Sequence, residues 1–212
     1  MDAREEILGR IRQAHTEREV DVPREYRRFS DLARDDLVEL LIDRLEDYDA
    51  TVHRARPEHV AGTVATCLAG AARIVVPETV SRSEWLGSVE CEILVDSATQ
   101  PLTVADLDAV DAVVTGSELA VAVSGTIVLV GEASGRRATT LLPDHHVCVV
   151  REEDIVEILP EAVDRLIDRG LHTRPITMVS GPSATVDIEL IRVQGVHGPR
   201  NLDVIIVGQG HG

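Results

Sequence analysis

Short apolar runs alternate with longer polar segments over most of the chain, and this alternation predicts strands joined by helices. Valine-rich runs at residues 73–76, 112–114 and 147–150 are typical of strands buried on both faces. Apolar residues recur at helical spacing over residues 58–71 and 155–171, which predicts two helices. Further short strands are predicted at residues 51–53, 92–95 and 176–179, and a short helical piece at residues 104–109. The pattern predicts an α/β fold with a mostly parallel sheet and helices on both faces.

The first 48 residues follow a different pattern and predict an N-terminal helical arm (1–48) ahead of an α/β domain (49–212). Residues 2–19 carry one narrow apolar stripe, and residues 20–28 predict a linker. A second helix is expected to begin near Ser30 or Asp31, either of which can cap its free amides. Its buried face is expected to consist of Leu37, Leu40, Leu41 and Leu45. The arm could pack on the domain or on another subunit, and both alternatives stay open.

One segment breaks the alternation of strand and helix. Residues 119–130, LAVAVSGTIVLV, contain two apolar runs separated only by Ser124, Gly125 and Thr126. This separation is short enough for a hairpin, and Gly125 could equally bend one long strand. We therefore predict one of these two arrangements.

The composition indicates one domain, or one domain with an arm, that has a large aliphatic core. The 212 residues are 44% apolar and 2% aromatic, and a chain of this length buries roughly 70% of its extended surface. A net charge of −16 would repel nucleic acid and anionic membrane surfaces. The first residues are charged, and no apolar run approaches the roughly 20 residues of a membrane span. We expect a soluble cytoplasmic protein that binds neither nucleic acid nor membrane.

All 21 basic residues are arginine. The absence of lysine excludes Schiff-base chemistry and the lysine of a phosphate-binding loop. Codon bias is one explanation of this composition. Another is a salt-rich cytoplasm, where screening relieves the repulsion of an acidic surface. The second explanation predicts lower stability at low ionic strength.

No cofactor is predicted for this chain. Cys67, Cys91 and Cys148 are far apart and form no C-x-x-C motif, which disfavours a disulfide framework or an iron–sulfur cluster. No predicted strand is followed by the dinucleotide fingerprint G-x-G-x-x-G. His145 and His146 would face opposite sides of a strand, although His146 and Cys148 could share one side. We therefore predict no metal site.

Potentially reactive side chains are concentrated in residues 177–208. An apolar strand there runs into Ser180-Gly181-Pro182-Ser183, a sequence that favours the start of a helix capped by Ser183. The first amides of such a helix would attract an anion. The segment therefore predicts a helix start with two alternative roles. Ser183 either only caps the helix, or the capped helix start also binds a carboxylate or phosphate.

Three further groups in this segment are candidates for acid–base chemistry. His197 lies in a glycine-containing turn, where an imidazole with its ordinary pKa of about 6.5 can act as an acid, a base or an anion contact. A structural histidine that bonds a loop carbonyl is the alternative. Asp187 and Glu189 would face apart on a helix and share one face on a strand. The arginines best suited to hold a small carboxylate in a bidentate fork are Arg136, Arg137 and Arg200.

Two motifs resemble those of a known family. Residues 180–189, SGPSATVDIE, and residues 195–199, GVHGP, resemble in order and spacing the paired signature of the lactate-utilisation protein C family, the LUD domain. Ser124-Gly125-Thr126 resembles the family's central Thr-Gly-Thr type segment, with Ser124 in place of the expected threonine. The resemblance covers residues 50–208. It implies a fold like that of ribose-phosphate isomerase, glucosamine-phosphate deaminase and the CoA-transferases.

The resemblance also implies a part in the oxidation of L-lactate to pyruvate, with a cysteine-rich redox subunit and an iron–sulfur subunit as the partners that carry electrons. The chain is then predicted to bind a small anionic metabolite at the carboxyl ends of its strands. The predicted catalytic residues are His197, Asp187 and Glu189. The predicted ligand-binding residues are Ser124, Gly125, Thr126, Gly181, Pro182, Ser183, Gly198 and Arg200.

Two other functions stay open. The chain could be a non-catalytic assembly subunit of the lactate-oxidising complex, with an arm that docks the iron–sulfur partner. It could also be an independent CoA-transferase or isomerase-like enzyme, for which Glu118 would be the nucleophile. Fold kinship alone does not transfer a mechanism, so the second alternative requires turnover by this chain alone.

Overall fold

The computed structural model describes residues 3–14, 23, 25, 27–186, 192–194 and 198–208. Its helices are α1 (Ala3–Ala14), α2 (Arg34–Asp47), α3 (Val60–Cys67), α4 (Glu78–Ser81), α5 (Val104–Asp108) and α6 (Leu159–Asp168). Its strands are β1 (Thr51–Ala55), β2 (Arg73–Pro77), β3 (Glu92–Asp96), β4 (Ala112–Gly116), β5 (Leu119–Val121), β6 (Thr126–Leu129), β7 (His145–Arg151), β8 (Ile155–Val156), β9 (Thr177–Val179), β10 (Ala184–Val186), β11 (Arg192–Gln194) and β12 (Asn201–Val207). Within these residues, no helix is long and apolar enough to cross a membrane.

The main sheet has six strands in the order β1-β12-β7-β4-β2-β3, and every neighbouring pair is parallel. The central strands β4 and β7 are buried along almost their whole length, as expected of parallel strands covered on both faces. This arrangement confirms the predicted α/β fold with a mostly parallel sheet. β12 lies between β1 and β7, so the last described strand in sequence occupies an inner position.

Residues 119–130 form a hairpin, which decides between the two predicted arrangements. β5 and β6 pair antiparallel, with Val121 opposite Thr126. Gly125 in the turn has a φ of +58°, and a Cβ atom added there would lie 2.9 Å from Cβ of Arg44 on α2, so the position favours glycine. With β8 and β9 the hairpin builds a four-stranded sheet in the order β8-β5-β6-β9.

α2 and α3 cover opposite faces of the main sheet. On one face, Val64 of α3 packs in a buried cluster with Val147 and Ile205. On the other face, Leu41 of α2 packs with Val204 in a cluster that also includes residues of the β5–β6 hairpin. α2 therefore packs on the α/β domain, in agreement with the first alternative for the arm. The division of the chain at residue 48 stays a prediction.

The predicted helix over residues 155–171 begins later than expected. Ile155 and Val156 form β8 and pair in parallel with β5, and α6 starts at Leu159 with a proline in its first turn. Proline lacks an amide hydrogen and is tolerated only at the start of a helix. Pro160 therefore favours a helix that begins beside it, and the preceding residues are available for strand pairing.

The predicted helix start at Ser180 to Ser183 is wrong. The chain continues into β10, which pairs antiparallel with β11 through Thr185 opposite Val193. β-Branched residues favour strands, and the ladder satisfies the main-chain groups that a helix would otherwise use. The anion site predicted at this helix start therefore has no helix to form it.

Candidate functional site

The structure brings two of the predicted binding segments together. The hydroxyl of Thr126 lies 2.8 Å from Ser124 Oγ and 2.8 Å from Ser180 Oγ, so the three hydroxyls form one hydrogen-bonded chain. Gly181 has a φ of +118°, and a Cβ atom added there would lie 2.7 Å from Cβ of Tyr48. The β5–β6 turn and the turn after β9 therefore both pack against the end of α2.

The Gly-Pro turn before β12 joins this group. The amide of Ser183 donates a hydrogen bond of 2.7 Å to the carbonyl of Pro199. A Cβ atom added to Gly198 would lie 3.5 Å from Cβ of Ser183. The Arg200 amide donates to the carbonyl of Asp144 at 2.8 Å, and its exposed guanidinium lies 3.5 Å from the Asp144 carboxylate. Pro182 is half-buried beside these contacts.

The predicted catalytic residues His197, Asp187 and Glu189 lie outside the described residues, so their roles stay predictions. Gly198 and Arg200 directly precede β12 and therefore lie at its amino end. We expected a pocket at the carboxyl ends of the strands, and for these two residues that position is wrong. The reason is topological, because a segment that leads into a parallel strand must lie at the amino end of that strand.

A different pocket is lined by the carboxyl end of β6, the loop that follows it and residues 174–177, and this loop lies over the carboxyl ends of β2 and β4. The chain leaves β2 towards β3 on one side and leaves β4 towards β7 on the other, and ligands of open α/β sheets bind where the crossovers diverge in this way. The loop after β6 covers this point, since the Gly116 amide donates to the Ala133 carbonyl at 3.0 Å. A Cβ atom added to Gly135 would lie 2.9 Å from Cγ of Pro77.

This pocket has a volume of about 360 Å³ and is lined by three arginines, Arg136, Arg137 and Arg174, and, among the residues that the structure describes, by no acidic side chain. Arg136 binds the Asp96 carboxylate through Nε at 2.8 Å and a terminal nitrogen at 2.5 Å. The hydrogen bonds from Arg136 to Asp96 raise the pKa of its guanidinium. Within the described part of the chain, Arg137 and Arg174 have no carboxylate partner. We refer to this site as the arginine pocket; its geometry and charge suit a small carboxylate.

A larger cleft of about 790 Å³ lies at the carboxyl ends of β7 and β12. Trp85, Val149 and Val207 provide apolar walls. Two arginines and four glutamates also line the cleft: Arg34, Arg151, Glu58, Glu84, Glu152 and Glu153. The excess of carboxylates makes the cleft less suitable than the arginine pocket for a small anion.

A cluster of titratable groups lies at the amino ends of β1, β12 and β7, on the face that α3 covers. Asp203 accepts hydrogen bonds from His53 Nε2 at 2.7 Å and from His145 Nε2 at 2.6 Å. Burial raises the pKa of Asp203, but the bonds from His145 and His53 outweigh burial, so the pKa lies below its ordinary value. Burial and then the charge of Asp203 raise the pKa of the nearby Cys67 thiol to about 12. Cys67 therefore remains a neutral thiol at physiological pH.

His146 faces the opposite side of β7 from His145, in agreement with the prediction. Its Nε2 lies 2.8 Å from the hydroxyl of Thr115, which also contacts Cys148 Sγ at 3.7 Å. Burial, and then the neighbouring His145, lower the pKa of His146 to about 3, and burial raises the pKa of Cys148 to about 12. His146 is therefore a neutral, hydrogen-bonded core residue.

The sequence singles out Arg136, Arg137 and His145, but it does not single out Arg174, His53, Cys67 or Asp203 as functional. Arg174 reaches the arginine pocket because β9 pairs with β6, with Thr177 opposite Leu129. Asp203 meets both histidines because β12 lies between their strands. A charged residue within the apolar stretch of residues 202–207 is the one local signal for this cluster.

Comparisons with known proteins place the chain among relatives of known name. The family model of the LUD domain matches residues 38–207. The chain is 43% identical over 178 residues to "Lactate utilization protein C" of Deinococcus radiodurans, an alignment that covers 84% of this chain and 82% of that protein. It is 32% identical over 95 residues to "Lactate utilization protein C" of Oceanobacillus iheyensis, covering 43% of this chain and 41% of that protein. The crystal structure of a DUF162 family protein from Deinococcus radiodurans matches with a TM-score of 0.69 at 34% identity, covering 84% of this chain and 99% of that one.

Proposed function

The chain belongs to the LUD domain family, and from this premise we propose that it is a component of an L-lactate utilisation system that binds a small anionic metabolite. The observation that carries the proposal is the 43% identity, over most of both chains, to a protein named "Lactate utilization protein C". The chain would act in the oxidation of lactate to pyruvate, together with iron–sulfur and cysteine-rich redox subunits that carry the electrons.

The arginine pocket is the proposed binding site for the metabolite. Its volume of about 360 Å³ lies within the roughly 300–1,000 Å³ of small-molecule sites. The rest of the protein repels anions, because the net charge is −16, and the pocket supplies the local positive charge that a carboxylate requires. Lactate and pyruvate each carry one carboxylate that a guanidinium can bind in a bidentate fork.

Two separate segments hold the arginines that would bind the carboxylate. Arg137 begins a short 3₁₀ turn, Arg137–Thr140, in which the buried Thr140 hydroxyl donates to the Arg137 carbonyl at 3.1 Å. Arg174 lies in a turn after α6, where its amide donates to the Leu171 carbonyl at 3.0 Å. Arg136 is held by Asp96 and would add positive charge without turning into the pocket. A carboxylate bound by Arg137 and Arg174 would therefore link two parts of the chain.

We assign the electron-carrying step to the partner subunits because the three cysteines of this chain do not form a set of ligands for an iron–sulfur cluster. Cys67 and Cys91 are half-buried and Cys148 is buried, and all three are unpaired thiols. Only one group of potential metal ligands occurs within the described residues, and it contains a single cysteine, Cys67. Iron–sulfur clusters are held by several thiolates, so the electron carrier would belong to another subunit.

Isothermal titration with L-lactate and pyruvate tests the binding site. We expect Arg137→Gln and Arg174→Gln each to weaken the affinity about tenfold or more, the loss of a charged hydrogen bond worth roughly 1.5–3 kcal/mol. Arg82→Gln, which removes an exposed arginine paired with Glu78, is the control and should bind normally. Absence of heat with lactate, pyruvate and phosphorylated or CoA-linked metabolites would rule out the site.

Growth of a deletion strain on lactate, restored by the wild-type chain, tests the role in lactate utilisation separately.

A non-catalytic assembly role is the second candidate function. The observation that favours it is the packing of the family motifs, since a Cβ atom added to Gly181 would meet Tyr48, and one added to Gly198 would meet Ser183 and Leu141. Ile7 and Ile11 of α1, which are 58% and 55% exposed, offer an apolar stripe for the partner. Removal of residues 1–26 tests this role, because removal through residue 48 would also delete α2 and expose the core. If the shortened chain still folds but no longer co-purifies with the iron–sulfur partner, the result would support the assembly role.

An independent CoA-transferase activity is the weaker alternative. Glu118, its expected nucleophile, forms an ion pair of 2.6 Å with Arg169, which also binds Asp154 at 2.9 Å. A nucleophilic carboxylate must reach the substrate, and this pairing holds Glu118 to the neighbouring arginine. Turnover of an acyl-CoA by the isolated chain, abolished by Glu118→Gln, would be required to support this activity.

A further inference from the structure

We propose that His53, Cys67 and Asp203 form a binding site for a zinc-class divalent cation, with His145 as the residue that positions Asp203. The site lies at the amino ends of the parallel strands. The arginine pocket lies at their carboxyl ends, so the two sites are separate and neither proposal depends on the other.

The geometry of the three side chains carries the proposal. One potential ligand atom from each of His53, Cys67 and Asp203 lies within 4.8 Å of the other two. In a tetrahedral zinc site, metal–ligand distances of about 2.0–2.3 Å place the ligand atoms roughly 3.5 Å apart. The 4.8 Å limit leaves the set at most about an ångström too wide, whereas His53 Nε2 and Asp203 Oδ1, now 2.7 Å apart, must separate when a cation enters between them. The ligands come from β1, α3 and β12, elements that share a packed core.

The chemistry of the ligands selects the cation. Imidazole, thiolate and carboxylate are the three ligand types of protein zinc sites, and a thiolate disfavours Mg²⁺ and Ca²⁺. Without a cation, His53 Nε2 and Asp203 Oδ1 share a hydrogen bond of 2.7 Å, and burial followed by the charge of Asp203 raises the pKa of the Cys67 thiol to about 12. Binding would displace the protons of these groups, as metal binding to thiols requires.

His145 provides the outer support that metal sites require. It binds the second oxygen of Asp203 at 2.6 Å and leaves the first oxygen to face His53. A hydrogen bond of this kind fixes the orientation of a ligating carboxylate. Loss of such a partner lowers metal affinity about 10- to 100-fold.

The site is reachable from outside. His53 lines an open depression of about 710 Å³ together with Thr63 and Thr66 of α3. A fourth ligand, water or an exogenous group, can enter from this side, as in zinc sites that keep one position open. The acidic surface of the protein would also concentrate divalent cations near it.

Cobalt substitution of the full-length chain tests the site, after metal is removed with EDTA. We expect Zn²⁺ and Co²⁺ to bind in calorimetry at one ion per chain, and the Co²⁺ form to show a thiolate-to-cobalt charge-transfer band. Cys67→Ser should abolish the band. Cys91→Ser, which replaces another half-buried cysteine, should retain it. His145→Ala should keep the band but weaken the affinity about 10- to 100-fold.

Two results would overturn the proposal. If the metal-free protein binds no stoichiometric cation, or if the band persists in Cys67→Ser, the cluster is only a hydrogen-bonded brace between three strands. Thermal melts in EDTA establish that each variant is folded. If Cys67→Ser does not fold, His53→Gln replaces it, and an unchanged cation affinity in that variant would also contradict the site.

Discussion

Glu157 is a buried carboxylate that fastens the segment before α2 to the domain. It directly follows β8 and is 4% exposed. Its carboxylate accepts hydrogen bonds from Ser30 Oγ at 3.0 Å and from the amide of Asp31 at 3.1 Å, and it forms an ion pair with Arg27. Burial alone would raise the pKa of Glu157, but these partners outweigh burial and hold the pKa below its ordinary value.

This lowered pKa predicts a pH dependence of stability. A carboxylate whose pKa is lower in the folded protein stabilises the fold above its unfolded-state pKa of about 4.3, and this contribution is lost as the pH falls through the folded-state pKa. Glu157→Gln should lower the unfolding free energy at neutral pH by about 1–3 kcal/mol, because charged hydrogen bonds are replaced by weaker ones. Its melting temperature should also depend less on pH below about pH 5.

Thermal melts followed by circular dichroism from neutral to acidic pH provide the measurement. Glu153→Gln is the matched control, because the carboxylate of Glu153 is exposed and lies 3.6 Å from Arg151. That variant should melt like the wild type at each pH. Identical pH profiles for the Glu157 and Glu153 variants would show that Glu157 does not carry the effect.

Single residues could be predicted from the sequence where local rules decide their environment. His145 and His146 face opposite sides because consecutive strand residues alternate. Arg137 stands out as an arginine in a glycine-containing loop. Arg174 could not be connected with it, because the connection depends on the pairing of β6 with β9.

At the scale of elements, the contact between the β5–β6 hairpin and α2 depends on one glycine. Gly125→Ala should destabilise the protein for two reasons: a positive φ strains an alanine by about 1–2 kcal/mol, and its Cβ would lie 2.9 Å from Cβ of Arg44. Gly170→Ala is the control, since Gly170 has a φ of +67° but nothing within 4 Å of an added Cβ. The difference between the two variants isolates the contact with α2.

Urea unfolding of both variants provides the measurement. Gly170→Ala should lose about 1–2 kcal/mol of unfolding free energy through strain alone, and Gly125→Ala should lose measurably more. Equal losses would mean that α2 yields to the added methyl group and that the contact is not tight.

The elements themselves could largely be predicted, with errors where a local signal had two meanings. The apolar runs at β2, β4 and β7 were sufficient to identify buried strands. Ile155 fits the helical stripe of α6 as well as a strand, and Pro160 decides the start of the helix. The sequence Ser-Gly-Pro-Ser favours a helix start locally, yet Ala184–Val186 pairs with a strand that lies further along the chain.

At the scale of the whole molecule, the large negative charge is the property that can be read directly from the sequence. The chain has 37 acidic and 21 basic residues, and such an excess destabilises the compact state by self-repulsion. The melting temperature should therefore rise between dilute buffer and about 1 M KCl, where the screening length falls to about 3 Å. We expect a gain of about 1–2 kcal/mol, or roughly 2–8 °C. Scanning calorimetry in KCl measures this, and an unchanged melting temperature would contradict it.

The order of the strands could not be predicted from the sequence. Apolar patterning identifies a buried parallel strand but does not indicate its neighbours. For this reason Asp203 could not be connected with His53 and His145, although all three are visible in the sequence. The placement of the two proposed sites at opposite ends of the sheet therefore follows from topology.

The inner position of β12 has a consequence for synthesis on the ribosome. Among the described strands β1 pairs only with β12, and at about 5–20 residues per second the intervening chain takes roughly 7–30 s to translate. During that interval β1 and the neighbouring edge of β7 present unpaired main-chain groups, a state prone to wrong pairing and aggregation. A nascent chain that pauses before residue 201 would therefore depend on chaperone protection until β12 emerges and closes the gap.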